Sequence, residues 1–138
     1  LKLLSKLQDE KQRWAKDHDE LGSMSAILPT KAAIASGYIC YLAGHHEDTR
    51  RAALSQWSQY IPKHPSSDQS FDISRFLSTE SEIISWKDMG LNSDQLSIEN
   101  AIVILRSRQT PFLIDPAGQG TQWLRKVIGN RPSEVLNN

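Results

Sequence analysis

The segment Pro111-Phe112-Leu113-Ile114-Asp115-Pro116-Ala117-Gly118-Gln119-Gly120-Thr121-Gln122-Trp123-Leu124 has the spacing of a phosphate-gripping loop without the residues that grip. Phe112 to Ile114 reads as a short buried strand. A Gly/Pro-rich turn follows, and a helical pattern then begins with Trp123, Leu124, Val127 and Ile128. Strand, glycine turn and helix are the setting of a Walker A sequence, GxxxxGK followed by Ser or Thr. With Gly120 as the second glycine, Asp115 stands at the first, Thr121 at the lysine and Gln122 at the hydroxyl position. The lysine neutralises the β- and γ-phosphates, and the hydroxyl ligates Mg²⁺. Both are missing, and Asp115 adds negative charge. Asp115, Gly118, Gly120, Thr121 and Gln122 are therefore predicted to form a degenerate nucleotide loop with no catalytic residue. An ordinary strand-to-helix turn accounts for the same spacing, so the loop alone does not decide.

Other reactive side chains point to no chemistry. His45-His46-Glu47-Asp48 has adjacent histidines, which diverge in a helix or strand, and no third ligand at a useful spacing, so no metal site is expected. Cys40 lies in the most apolar stretch with no nearby base and reads as a packed thiol. Ser97, Glu99 and Asn100 have no histidine near them in sequence to make a triad. Glu80 and Glu82 fit a helix start better than an acid/base pair. Trp14, Trp57, Trp86 and Trp123 sit on helical apolar faces and read as core.

The elements around the loop are mostly helices. Leu1 to Leu21 reads as a solvated helix with a thin seam of Leu7, Trp14 and Leu21 at seven-residue spacing, with Lys11 and His18 interrupting the companion position. It suits the frayed end of a coiled coil or a surface helix packed by one edge. Gly22-Ser23 is expected to break it. Pro29 is placed at a new helix start, and Ala32 to Leu42, apolar on nearly every face, reads as a buried helix ended by Gly44. Asp48 or Thr49 is expected to cap the next helix, with Ala53, Leu54, Trp57, Tyr60 and Ile61 on one face. Pro62 to Ser67 marks a loop. After the apolar cluster Phe71, Ile73, Phe76 and Leu77, Thr79 with Glu82 fits a capping box. Ile83 and Trp86 follow as buried positions, with Gly90 as a stop. Ser93-Asp94 or Ser97 opens a helix carrying Ile98, Ala101, Ile102 and Leu105. A second strand is expected at Val135-Leu136. The predicted class is mainly α with the start of an α/β sheet: helices, then strand, loop, helix and strand, in an incomplete domain cut from something longer.

Length and charge narrow the partners. The 138 residues are about one domain's worth. Sixteen basic residues balance sixteen acidic ones, which gives no electrostatic case for nucleic acid. No apolar run approaches the roughly 20 residues that cross a bilayer, so no membrane insertion is expected. A single cysteine excludes an internal disulfide and fits a reducing compartment.

Three phrases in order are more specific. Ser93-Asp94-Gln95-Leu96-Ser97-Ile98-Glu99-Asn100-Ala101, then Pro111-Phe112-Leu113-Ile114-Asp115-Pro116, then Gln119 with Trp123-Leu124 resemble the dynein heavy chain family. Its sequences carry S-D-x-L-S-x-E-N-(A/G) followed by P-L-x-I-D-P-x-x-Q-A-x-x-W-(I/L). Leu7 to Trp14 is similar to its L-x-x-E-K-x-R-W. Ala32 to Leu42 is similar to its L-A-A-A-F-I-x-Y-L, and Arg51 to Trp57 to its R-x-x-L-x-x-W. Thr79-Glu80-Ser81-Glu82 and Val103-Ile104-Leu105 with Pro111-Phe112 lean towards the cytoplasmic dynein of intraflagellar transport. Gly120 departs from the alanine that relatives often carry, which loosens the helix start and restores no lysine.

The resemblance implies a layout. Residues 1–21 would be the returning helix of the coiled-coil stalk. Residues 22–77 would be the helical lid of the fourth AAA+ (P-loop) module, and residues 78–138 the N-terminal part of the fifth, with its degenerate Walker A. The parent would be an ATP-driven, minus-end-directed microtubule motor using ATP and Mg, with no cofactor in this segment. The implied partners are neighbouring AAA+ modules and the outgoing stalk helix, and, through the parent, the microtubule and the dynein light and intermediate chains. The implied location is cytoplasm, cytoskeleton and cilium. Two other readings stay open. One is regulatory nucleotide binding without hydrolysis, through main-chain N–H groups near Gly118 to Thr121. The other is a stand-alone helical interaction domain.

Overall fold

The computed structural model describes residues 2–62 and 71–129. In chain order the elements are α1 (Lys2–Gly37), a π-helical turn (Tyr38–Leu42), α2 (Glu47–Ser58), α3 (Ile73–Leu77), α4 (Glu80–Asp88), α5 (Gln95–Arg106) and α6 (Gln119–Ile128). The chain is mainly α, as its periodicity indicates.

The long first helix departs from expectation. It runs 36 residues, about 54 Å at 1.5 Å per residue, through both Gly22 and Pro29. A lone glycine costs about 1 kcal/mol, too little to stop a helix with good formers on both sides. Pro29 forfeits one main-chain bond at greater cost. Buried Ile27 before it and buried Ile34 and Ala35 after it hold both sides of the proline in place. Nor is the stretch from Ala32 to Leu42 buried all round. Ala35, Tyr38 and Leu42 face the core, whereas Tyr41 and Cys40 are exposed. Cys40 is therefore not the packed thiol its neighbours suggest. Trp14 also lies outside any core, at 68% exposure, with Leu7 and Leu21 similarly exposed.

The shorter helices begin and end where local chemistry dictates. Thr79 and Glu82 make the expected capping box, each side chain bonded to the other's main-chain N–H. Asp94 caps α5 by accepting from Ser97 N, and its carboxyl is held below the usual carboxylate range by the Ser97 hydroxyl and N–H. After α4, Gly90 at φ +103° lets Leu91 N–H reach Trp86 O and Gly90 N–H reach Lys87 O, a Schellman ending. By contrast α2 starts at Glu47, earlier than Asp48 or Thr49 would set it, with no side-chain cap at His46.

Two apolar clusters flank α5. Ala35, Tyr38, Leu42 and Ile73 form one, with Leu54, Trp57, Phe76 and Val103 against them. Trp86, Ile98, Ala101, Ile102 and Trp123 form the other, with Trp86 and Trp123 edge to face at 6.4 Å between centroids. Val103 serves the first cluster and Ile98, Ala101 and Ile102 the second, so α5 is the wall they share. Arg106 ties the end of α5 back to Leu77 O and to the Glu82 carboxylate.

The expected strand at Phe112–Ile114 does not form. The segment has no ladder partner among the described residues, and Phe112 and Ile114 are 80% and 79% exposed. A strand exists only through pairing, and a short apolar run by itself cannot supply it. Val135-Leu136, the second expected strand, lies outside the described residues.

Candidate functional site

The loop is organised around Asp115. Its main-chain carbonyl accepts from Gly118 N–H at 3.1 Å, which closes the turn. Gly118 sits at φ +72°, a conformation that penalises any side chain, and is the residue before α6. Gly118 O then accepts from Gln122 N–H at 3.0 Å, the first bond of the helix. Helix α6 begins at Gln119, so Gly120, Thr121 and Gln122 lie in its first turn rather than in a loop ahead of it.

A helix start presents N–H groups with no partner inside the helix, and these attract anions. Here an internal anion already takes that place. Asp115 Oδ2 accepts from Thr121 N–H at 2.7 Å. This bond is the main reason the Asp115 carboxyl is held below the usual carboxylate range, and the Thr121 hydroxyl and the N–H groups of Gly118 and Gly120 act in the same direction. A Cβ placed on Gly120 would meet Leu113 Cδ2 at 3.4 Å and Asp115 Oδ2 at 3.5 Å, ordinary contacts that leave room for alanine.

No cation stands at the lysine position, no small hydroxyl at the metal position, and a carboxylate is seated on the N–H that a phosphate would take. Beside the loop is a cavity of about 200 Å³ whose lining includes Asn92, Ser97, Asn100, Leu113, Gln119 and Trp123. Asn92 donates to Gln119 Oε1 at 3.1 Å, joining the α4–α5 turn to the start of α6. The indole N–H of buried Trp123 has no hydrogen-bond partner among the described residues.

The other chemistry-bearing residues are held elsewhere. Among the described residues no three His, Cys, Asp or Glu side chains gather as a metal site. Glu47 pairs with Arg51. Ser97 Oγ donates to Asp94. Glu99 and Asn100 accept from Tyr38 and Arg50 respectively, partners 61 and 50 residues away that sequence spacing does not reveal.

A family described as "ATP-binding dynein motor region" matches residues 84–137. The cytoplasmic dynein 2 heavy chain 1 of Mus musculus is 43% identical over 135 residues, 98% of this chain and 3% of that protein. The chain belongs to the dynein heavy chain family. The cytoplasmic dynein 2 heavy chain 1 of Chlamydomonas reinhardtii is 39% identical over 91% of this chain and 3% of its own length. Dynein axonemal heavy chain 3 of Mus musculus is 31% identical over 98% and 3%. This dynein segment is thus more similar to those cytoplasmic dynein 2 chains than to that axonemal one. It spans about 3% of the length of the relatives it matches. The matched region starts within α4 and takes in the whole Asp115 loop, so the carboxylate-filled turn sits inside a region whose family description is ATP-binding.

Proposed function

We propose that this dynein segment is a mechanical, non-catalytic part of a microtubule motor ATPase, and that it couples the motor ring to the stalk. One observation carries the reading: Asp115 Oδ2 lies 2.7 Å from Thr121 N, so an N–H of the helix start that would grip a phosphate is already taken from within. In this reading residues 1–21 are the returning stalk helix, 22–77 the lid of the fourth AAA+ module and 78–138 the start of the fifth, with a Walker A position that fixes structure instead of binding fuel. The unbroken α1 supports it, because a helix continuous across residue 22 carries displacement from one region into the next. The exposed run Phe112–Ile114 would pair with strands contributed by the rest of the heavy chain. ATP turnover, microtubule contact and the light and intermediate chains belong to the parent motor, with retrograde intraflagellar transport in the cilium as its setting.

A second reading, nucleotide binding without hydrolysis, draws on the cavity beside the loop and on a Trp123 N–H that has no partner among the described residues. Calorimetric titration of the complete module with ATP and ADP, each with Mg²⁺, separates the two. The mechanical reading expects no heat and no protection of residues 115–122 from hydrogen exchange. Saturable heat with loop protection replaces it by the second.

A further inference from the structure

The turn that follows α1 is held against α5 by partly buried polar contacts that the loop does not use. Tyr38, fully buried, opens the π-turn and donates from its hydroxyl to Glu99 Oε2 at 2.5 Å. Gln95 Nε2 donates to the other carboxylate oxygen at 3.0 Å and to Ser74 Oγ at 2.8 Å. From α2, buried Arg50 donates to His45 O at 2.8 Å, Ala43 O at 2.7 Å and Asn100 Oδ1 at 2.7 Å. Arg50 thereby caps the carbonyl end of the π-turn and hooks it to α5. Two adjacent residues of α5, Glu99 and Asn100, hold the same turn from two sides.

A π-turn contains one more residue than an α-turn, with bonds from i to i+5 instead of i+4, and such turns are rare. The main chain is hydrogen-bonded in either form, so side-chain contacts decide between them. Absorbing or expelling the extra residue rotates everything before it by about 100° about the helix axis and moves it about 1.5 Å along that axis. In the observed setting Tyr38 and Leu42 both face the core, and the Tyr38 hydroxyl meets Glu99.

We propose that Tyr38–Leu42, with Glu99, Asn100 and Arg50, is a register latch: it fixes α1 at one angular setting against α5, and its release lets the π-turn relax to an α-turn and α1 rotate. Asn100 also lines the cavity beside Asp115, so the latch and the loop share a wall. The inference goes beyond the force-transmitting role and does not depend on it.

Distances between spin labels test it on the full chain. Labels are placed at the exposed positions of Ala33→Cys on α1 and Ser85→Cys on α4, in a Cys40→Ser background that alters only an exposed side chain. With the latch intact, a single narrow distance is expected. Tyr38→Phe combined with Glu99→Gln, or with Asn100→Ala, is expected to add a second distance in on the order of a tenth of the molecules or more. If a double variant loses helical circular dichroism, Tyr38→Phe alone, which removes one oxygen, is read in its place. An unchanged single distance, broadening without a second maximum, or two distances before any latch residue is altered each overturn the proposal. Since the measurement involves no nucleotide, its failure leaves the reading of Asp115 standing.

Discussion

Replacing Asp115 by alanine probes what fills the helix start. Gly118, the residue before α6, offers no side chain to cap it. Asp115 supplies two acceptors instead, its carbonyl to Gly118 N–H and its carboxylate to Thr121 N–H. Alanine keeps the first and loses the second. Loss of a capping side chain costs about 0.5–2 kcal/mol, typically about 1, and the charge of a carboxylate near the positive end of a helix adds about 0.3–1 kcal/mol at low salt. About 1.5 kcal/mol, over an unfolding entropy scaled to this length, lowers the melting temperature by roughly 5 °C. Asparagine, which keeps an acceptor and drops the charge, is expected to lose less.

The pH dependence provides an independent check. The folded-state pKa of Asp115 is depressed, so the unfolded chain binds more protons in the acidic range. The stabilisation is therefore present above the unfolded carboxylate value, about 4, and is lost as pH falls through the folded one. Wild type and Asp115→Ala should differ most at neutral pH, and the difference should shrink as pH falls below the ordinary carboxylate value of about 4, measured by thermal circular dichroism. In Asp115→Gly the vacated N–H groups should accept an outside anion, so pyrophosphate should raise its melting temperature and leave that of the wild type unchanged. A neutral-pH difference under about 1 °C, or a difference that does not shrink as pH falls below about 4, refutes the argument.

Thr79→Ala removes the other half of a reciprocal cap and is expected to cost about 1 kcal/mol, read as a melting shift of a few degrees. Trp123→Ala empties the centre of the second cluster and is expected to cost about 3–5 kcal/mol; chemical denaturation should then show cooperative unfolding lost from α4 to α6. In a complete dynein heavy chain, Lys11→Leu with His18→Leu should favour one stalk register and uncouple microtubule binding from ATP turnover, and unchanged coupling would count against the mechanical role.

What the sequence reveals here is what neighbours in sequence decide. The Thr79–Glu82 box, the Asp94 cap, the Gly90 stop and the amphipathic start of α6 each rest on groups within a few residues of one another, and all are readable in advance. The continuity of α1 is not, because Gly22 and Pro29 are local stop signals overridden by packing at Ile27, Ile34 and Ala35. Trp14 and Cys40 mislead for a related reason: an apolar side chain on an apolar helix is buried only where another element covers it. The loop's missing lysine and hydroxyl are legible from spacing. That Asp115 bends back onto Thr121 is not, since a carboxylate six residues from its partner could as well face water.

The stripe along α1 gives the mechanical role its physical content. Leu7, Trp14, Leu21 and Leu28 recur every seven residues and are all more than half exposed. The next two members of the series, Ala35 and Leu42, are buried in the first cluster. One face of one helix is thus open along its first part and packed along its last. Apart from the one bond that Pro29 forfeits, each turn of α1 is bonded to the next, so rotation imposed on the open part is carried towards Ala35. Beyond Ala35 lies the π-turn, whose extra residue is the one proposed above to be released. Rotation arriving there has two outlets, a changed turn or a strained Tyr38–Glu99 contact, and both act on α5, whose far side walls the Asp115 loop.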